Sequence, residues 1–522
     1  MKTFVQLFTV FLWCNALLLH AQQDGRLDPS FGNNGRVITR FGEADALIYA
    51  MQTQPNGKIV VGGDYYDNDV DAFIVARYNE NGTLDSSFGT NGYTLTSFLE
   101  VAECFSIALQ PDGKIVAAGL AYSNFEEGIA VARYHENGSL DMNFGLNGTA
   151  IIDIGKSIDI RQCVIQPEDG KIVIAGSFTD NDEKRGILLI RLLADGALDE
   201  SFGTEGIVEY YNAEGFDMFS NSLLLQPDGK IVVGGVITDN LSFFNLAMVR
   251  LLPNGARDNS FGNFGVVNTL LPSIFIGLIR RIALQPDGKI VAVGEGISLE
   301  DLCFLAARFS AAGVLDDTFG DDGEALVFVP FESSCSDVTL QADGKIIVTG
   351  FYSEDLDNVS FMLVRLTADG LIDDSFGEEG IVITPFEEPA GAFASAIQPD
   401  GKILAGGALV EDDFYLRFAM ARYLSELNVG VINFKALATQ LLVYPNPLRG
   451  TAVLEYELPQ EENLRIDLYD MQGRRVQTIM PPQLKPAGKH VATLPIDERL
   501  PAGMYLLRLE APQGQVTIKV MK

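Results

Sequence analysis

The chain has 522 residues, 47% of them hydrophobic, which is enough material for more than one packed core. Its 70 Asp and Glu against 37 Lys and Arg give a net charge of −33, and a surface that acidic repels nucleic acid phosphates, so a nucleic-acid role is excluded. Of three histidines only His135 and His490 lie beyond residue 21, which leaves no material for a Ser-His-Asp triad, an HExxH site or a histidine-rich metal centre.

Residues 1–21 read as a secretory signal: Lys2 supplies the basic start, Phe4 to Leu19 is mostly apolar, and Ala21 is a small residue before Gln22. Cys14 follows Trp13, where a lipoprotein signal wants a small residue. The stretch is short for a transmembrane helix, so no transmembrane segment is expected in the mature chain.

From residue 27 to residue 424 a unit of about 57 residues recurs seven times. Its clearest part reads QPDGKIV and begins at Gln54, Gln110, Gln166, Gln226, Gln285, Gln341 and Gln398. In step with it run LDxSFGxxG, with Phe31, Phe88, Phe144, Phe202, Phe261, Phe319 and Phe376, and an apolar stretch ending in Arg at Arg77, Arg133, Arg191, Arg250, Arg308, Arg365 and Arg422. Each unit holds four short β-rich runs separated by turns in which Pro, Asp or Asn, and Gly stand in the positions such turns require. A repeat of this kind cannot bury its own apolar face, and four strands per unit, seven times, predicts an all-β, seven-bladed propeller.

The phase of the repeat adds a closure. The chain enters with a fourth strand and the repeats end on a third, so Arg36 to Phe41 is expected to pair with Phe418 to Tyr423 and remove two open sheet edges. The recurrent Arg and Asp have matching counts, which predicts one pair per blade, with Asp28 to Arg422 across the closure. The units resemble delta-60 repeats, an exported bacterial propeller-like family; the resemblance implies the fold and no reaction.

After a linker at 425–440 the composition changes. YPNP at Tyr444 to Pro447, YDMQGRRV at Tyr469 to Val476, PAGMYLLRL at Pro501 to Leu509 and a basic last strand alternate apolar and polar residues between Gly and Pro turns, as a small Ig-like β-sandwich would. Residues 441–522 resemble the type A C-terminal sorting domain of the type IX secretion system of Bacteroidota. The resemblance implies handling by the secretion machinery and its sortase, and a product released from the cell or attached to its surface. A monomer is expected. Cys104, Cys163, Cys303 and Cys335 occupy differing offsets in the repeat, so free buried thiols are at least as well supported as bridges.

Function is expected where copies differ. The second-to-third and fourth-to-first connections share one face and vary in every blade. They carry Tyr65, Tyr66 and Asp67; Phe125 and Glu126; Phe243 and Phe244; Tyr352 and Glu354; and Asp413 and Tyr415, an aromatic and acidic mixture suited to an unidentified extracellular protein or glycan. Asp67, Asp69 and Asp71 alternate as calcium ligands can, but the loop lacks the Gly and Glu of a calcium-binding hand; no cofactor is expected. The expected function is a non-enzymatic binding propeller. The alternative is a glycosidase-like enzyme using paired carboxylates on the same face.

Overall fold

In the computed structural model, residues 24–425 and 441–522 are described, apart from short segments at 68–69, 124–125, 240–242, 299–301, 330–331, 356–357, 412–414, 445–450, 459–461, 471–474, 498, 501–503 and 512–513. The signal, most of the linker and part of the YPNP motif therefore lie outside the described residues. The chain divides into two compact units, residues 1–424 and 425–522. Every regular element among the described residues is a strand, and no helix there is long and apolar enough to cross a membrane.

The first unit is a ring of seven four-stranded antiparallel sheets. In the first blade the strands are Asp45–Thr53, Ile59–Tyr66, Asp71–Tyr78 and Tyr93–Thr96. The turn from first to second strand is made by Gln54 to Lys58, where the Gly57 amide donates to the Gln54 carbonyl at 2.9 Å and Gly57 takes a φ of 81°. The second and third strands are buried on both faces, because each blade is covered by a neighbour on either side, and so they read as unbroken apolar runs such as FIVARY. Fourth strands are only four residues long, which keeps the outer edge of each blade too short to template pairing.

The ring closes through its two chain ends. Arg36–Thr39 is the outer strand of the seventh blade, with Arg36 opposite Ala421 and Thr39 opposite Phe418. Asp28 of the entering segment lies 2.9 Å from Arg422, and Leu27 bridges Tyr423.

Around one face a single cluster repeats. Each blade pairs its Arg and Asp at 2.7 to 2.9 Å, and the guanidinium lies 4.5 to 4.9 Å over the centre of the recurrent Phe, which is fully buried in all seven copies. The same Arg reaches into the next blade: Arg77 donates to the Glu136 carbonyl, Arg133 to Ala194, Arg191 to Pro253, Arg250 to Ala311, Arg308 to Ala368 and, across the closure, Arg422 to Glu80. Arg365 instead meets the Asp24 carboxylate at 3.0 Å. One guanidinium thus holds its own turn and the neighbouring blade together. Blades approach closely here: a Cβ on Gly138 would lie 2.7 Å from the Gly89 nitrogen and 2.8 Å from the Phe88 ring.

The second unit has a three-stranded sheet, Leu441–Tyr444, Thr451–Leu458 and Gly488–Pro495, and a four-stranded one, Glu462–Asp470, Arg475–Lys485, Met504–Ala511 and Gly514–Met521. Leu454, Leu494, Ile466, Leu468, Leu507 and Leu509 are fully buried between the two sheets in one apolar core.

Candidate functional site

The expected loop residues are spread over five blades. Tyr65 is buried, and its hydroxyl donates to Asp67 Oδ2 at 2.9 Å while Asp67 Oδ1 accepts the Val70 amide at 2.8 Å, so this pair braces its own loop. Tyr66 beside them is 52% exposed. Tyr352 is buried and donates to the exposed Glu354 at 3.2 Å. Half-buried Phe243 meets Phe216 edge-on at 4.9 Å, Phe244 is half-buried, and Tyr415 lies under the Arg417 guanidinium at 4.8 Å. Glu126 is exposed, and Phe125, Asp413 and Asp69 lie outside the described residues. Asp71 accepts the Ala102 amide of the next blade at 3.1 Å, and among the described residues no three potential metal ligands gather.

The residues that do converge are on the innermost strands. Each first strand carries a β-bulge at the same place, between Ile48 and Ala50, Cys104 and Ser106, Ile160 and Gln162, Ser220 and Ser222, Ile279 and Arg281, Cys335 and Asp337, and Ala392 and Ala394. A bulge inserts one unpaired residue and turns its side chain out of the alternating pattern. The residue before each bulge is buried, whereas the bulged residues, Tyr49, Phe105, Arg161, Asn221, Arg280, Ser336 and Phe393, are all half-buried or exposed. They line the central channel.

Their order around the ring makes the mouth two-sided. Phe393, Tyr49 and Phe105 come from adjacent blades, with Tyr49 ring centres 6.0 Å from Phe393 and 5.2 Å from Phe105. Arg161 follows, 5.7 Å over the Phe105 ring, and Arg280 and Arg281 stand on the fifth blade. Together with Asn221, Ser334, Cys335, Ser336 and Phe351 they enclose a hollow of about 270 Å³. Below it a polar section of about 490 Å³ continues toward the QPDG turns, and beside it a slot of about 670 Å³ between blades shares Tyr49, Phe351 and Phe393.

Charges here are arranged in depth. Arg280 meets Glu295 at 3.1 Å, and Glu295 also accepts the Cys335 amide at 3.2 Å and the Ser334 hydroxyl. Arg281 lies 3.5 Å from Asp337 and donates to the Asn221 carbonyl at 2.7 Å. Burial holds the Asp337 carboxyl above its usual range despite that arginine. Beneath the aromatic side, Asp64 accepts the Cys104 amide at 2.7 Å; burial first, then the Glu103 and Asp71 charges, push its pKa up to about 8. Burial also raises Glu103, and burial with the Asp64 and Glu103 charges pushes the Tyr49 phenol up to about 12. Cys104, Cys163, Cys303 and Cys335 are buried free thiols.

Sequence alternation alone does not single out the bulged position, but it carries a signal: it stands five residues before every recurrent Gln and changes identity from copy to copy. Those glutamines do more than stay within their turns: the Gln398 amide donates to the Gly57 carbonyl of the next blade at 3.0 Å and its oxygen accepts from Arg422 at 2.9 Å.

A family model described as a domain of unknown function (DUF5122) β-propeller matches residues 54–88, 110–144, 168–202, 226–261, 285–319, 341–376 and 398–428. The ring is a DUF5122 propeller. A second model, the secretion system C-terminal sorting domain, matches residues 442–522, so the DUF5122 propeller is an exported protein, handled by the type IX machinery and placed at the cell surface or outside the cell. No curated protein matches the chain. Among solved structures it is similar to Sqt1 from Chaetomium thermophilum, at 10% identity over 74% of this chain and 98% of that one with a TM-score of 0.34. The neuraminidase-like protein of A/little yellow-shouldered bat/Guatemala matches at 11% identity, over 75% and 99%, with a TM-score of 0.34. The Bacillus subtilis arabinanase Arb43A matches at 10% identity, over 61% and 92%, with a TM-score of 0.29. Likeness at this level carries nothing about what the DUF5122 propeller binds.

Proposed function

We propose that this exported propeller is a non-enzymatic binding protein whose ligand enters the channel mouth on the variable-loop face. The observation that carries this reading is the set of seven bulges, which present one side chain from every blade to one hollow while the residue before each bulge stays buried. Three neighbouring aromatic rings at the entrance supply apolar contact area with few rotatable bonds. The exposed Tyr66, Glu126 and Glu354 and the half-buried Phe244 and Tyr415 belong to the rim on the same face and add contacts for a larger partner. The test is a glycan and peptide array probed with the purified chain and with a Tyr49→Ala, Phe393→Ala double variant. Binding that disappears in the double variant supports the reading, and binding that persists overturns it.

One observation favours a second reading. Burial, with the Glu103 and Asp71 charges, pushes the Asp64 pKa up to about 8, as the acid of a glycoside-hydrolysing pair would require, and Glu103, itself raised by burial, is the carboxyl that would have to serve as its partner. A glycan hydrolysis screen decides: turnover that Asp64→Asn abolishes would replace the first reading with the second.

A further inference from the structure

The protein carries a net charge of −33, yet the eleven residues lining the hollow at the channel mouth include three arginines and no carboxylate. The side chains lining this one hollow are thus opposite in sign to the chain as a whole, although each arginine has a carboxylate partner outside that lining, Asp159, Glu295 and Asp337. The cause lies in the depth of the charges. Glu295 and Asp337 sit behind Arg280 and Arg281, with side chains only 14% and 19% exposed, and each is tied to backbone: Glu295 by the Cys335 amide, Asp337 by the Ser395 amide at 2.7 Å. They orient the guanidinium groups: Glu295 lies outside the lining of the hollow, and Asp337 stands below it, on the wall of the polar section that Arg281 shares. Arg161 has its partner Asp159 at 2.7 Å, but both side chains are 44% exposed, and such an exposed pair is weak and readily exchanged.

Opposite the arginines stand the three rings. The arc Phe393, Tyr49, Phe105 ends where Arg161 begins, so a flat or ring-shaped body laid on the aromatics points its edge at the cations. Guanidinium groups present several donors in one plane and match the oxygens of a carboxylate or sulfate. A volume of about 270 Å³ is at the small end for a ligand pocket and takes one ring with its substituents. The adjoining slot opens on Tyr49, Phe351 and Phe393 and also carries Glu388 and Glu411, so it gives the uncharged remainder of a longer molecule a way out and leaves the oxyanion at the arginines.

We propose that the channel mouth is a receptor for an oxyanion carried on a ring, with the ring on Phe393, Tyr49 and Phe105 and the carboxylate or sulfate oxygens among Arg161, Arg280 and Arg281. This rests on the mouth being the binding site. Two sources share that chemistry, an acidic sugar and an arene carboxylate. Titration calorimetry of the purified full chain with glucuronate, glucuronate methyl ester and benzoate separates them. Glucuronate alone binding assigns an acidic sugar; benzoate binding as well assigns the general ring oxyanion; the ester is expected to give no heat. Arg161→Gln, at an exposed position the fold does not need, is expected to weaken the acid about tenfold, the loss of one charge-assisted hydrogen bond. No titration by either acid, equal binding of acid and ester, or an unchanged affinity in Arg161→Gln overturns the proposal. If array ligands depend on Tyr49 and Phe393 but are neutral and indifferent to Arg161→Gln, the binding function stands and this inference alone falls; if they ignore the aromatic pair, both fall.

Discussion

Replacing Asp28 by Ala probes the joint on which the ring depends. One Asp28 oxygen meets Arg422 Nη2 at 2.9 Å and Lys402 Nζ at 3.3 Å, and the other accepts the Ser30 amide at 3.0 Å and hydroxyl at 2.7 Å. The Arg422 and Asp28 side chains are 3% and 6% exposed, so the substitution strands a guanidinium away from water. Breaking a buried pair in this way costs about 3 to 5 kcal/mol. The lower end applies, because the Gln398 oxygen at 2.9 Å, the Glu80 carbonyl and the Ser30 hydroxyl at 3.0 Å still surround Arg422. At about 2 cal/mol/K of unfolding entropy per residue, a loss of about 3 kcal/mol in a cooperative ring of this size lowers the melting temperature by about 4 °C. Calorimetric melts of Asp28→Ala against the surface control Leu146→Ala, whose side chain is 77% exposed, measure it. The pH dependence has a definite sign. Burial pushes the Asp28 carboxyl up, but the Ser30 hydrogen bonds and the Arg422 and Lys402 charges outweigh it and hold it below its usual range. Its contribution is therefore present above the ordinary carboxylate pKa of about 4 and is lost as pH falls through the lower folded value, so the two proteins converge in acid. A melting temperature for Asp28→Ala within about 1 °C of the unaltered chain at neutral pH would refute the reasoning.

Two other outcomes follow from the same structure. Asp64 keeps its proton in the folded ring up to a pKa of about 8, while the unfolded chain releases it near 4, so stability falls as pH rises between those values; Asp64→Asn removes that slope, and melts at about pH 5 and pH 9 are expected to show the variant gaining on the unaltered chain at the higher pH. An unchanging difference between the two pH values would show that the carboxyl is ionised when folded. Deleting residues 441–522 is expected to remove the propeller from the cell surface and the medium, measured by fractionation and immunoblot; equal amounts outside the cell with and without the segment would show that something else directs export.

Much of this architecture was legible because it is local. The QPDG turn, the four β-rich runs and the strand phase are properties of consecutive residues, and repetition seven times made the count and the closing strand pair readable before any contact was known; the expected pairing of Arg36 to Phe41 with Phe418 to Tyr423 is realised over Arg36–Thr39 and Phe418–Ala421. Arg and Asp of one blade, as in Arg77 and Asp85, are eight residues apart and could be paired by counting. The second role of that arginine, the bond to the neighbouring blade's carbonyl, spans about 60 residues and leaves no mark on residue identity, since any residue supplies a carbonyl.

The candidate site divides along the same line. Variable loops stood out in the sequence, but Tyr65 and Tyr352 there turn inward and serve their own loops. The channel residues were hidden by the bulge. A strand without a bulge would place Tyr49 by simple alternation with Ile48; one extra residue resets the alternation and turns that side chain into the channel. What the amino-acid order determined by itself was a closed seven-fold ring with an export domain behind it. Which seven side chains meet at the centre, and that three of them are aromatic against an arginine-rich far wall, was decided only when strands from every blade were brought around one axis, because neighbours in that ring are about 57 residues apart in the chain.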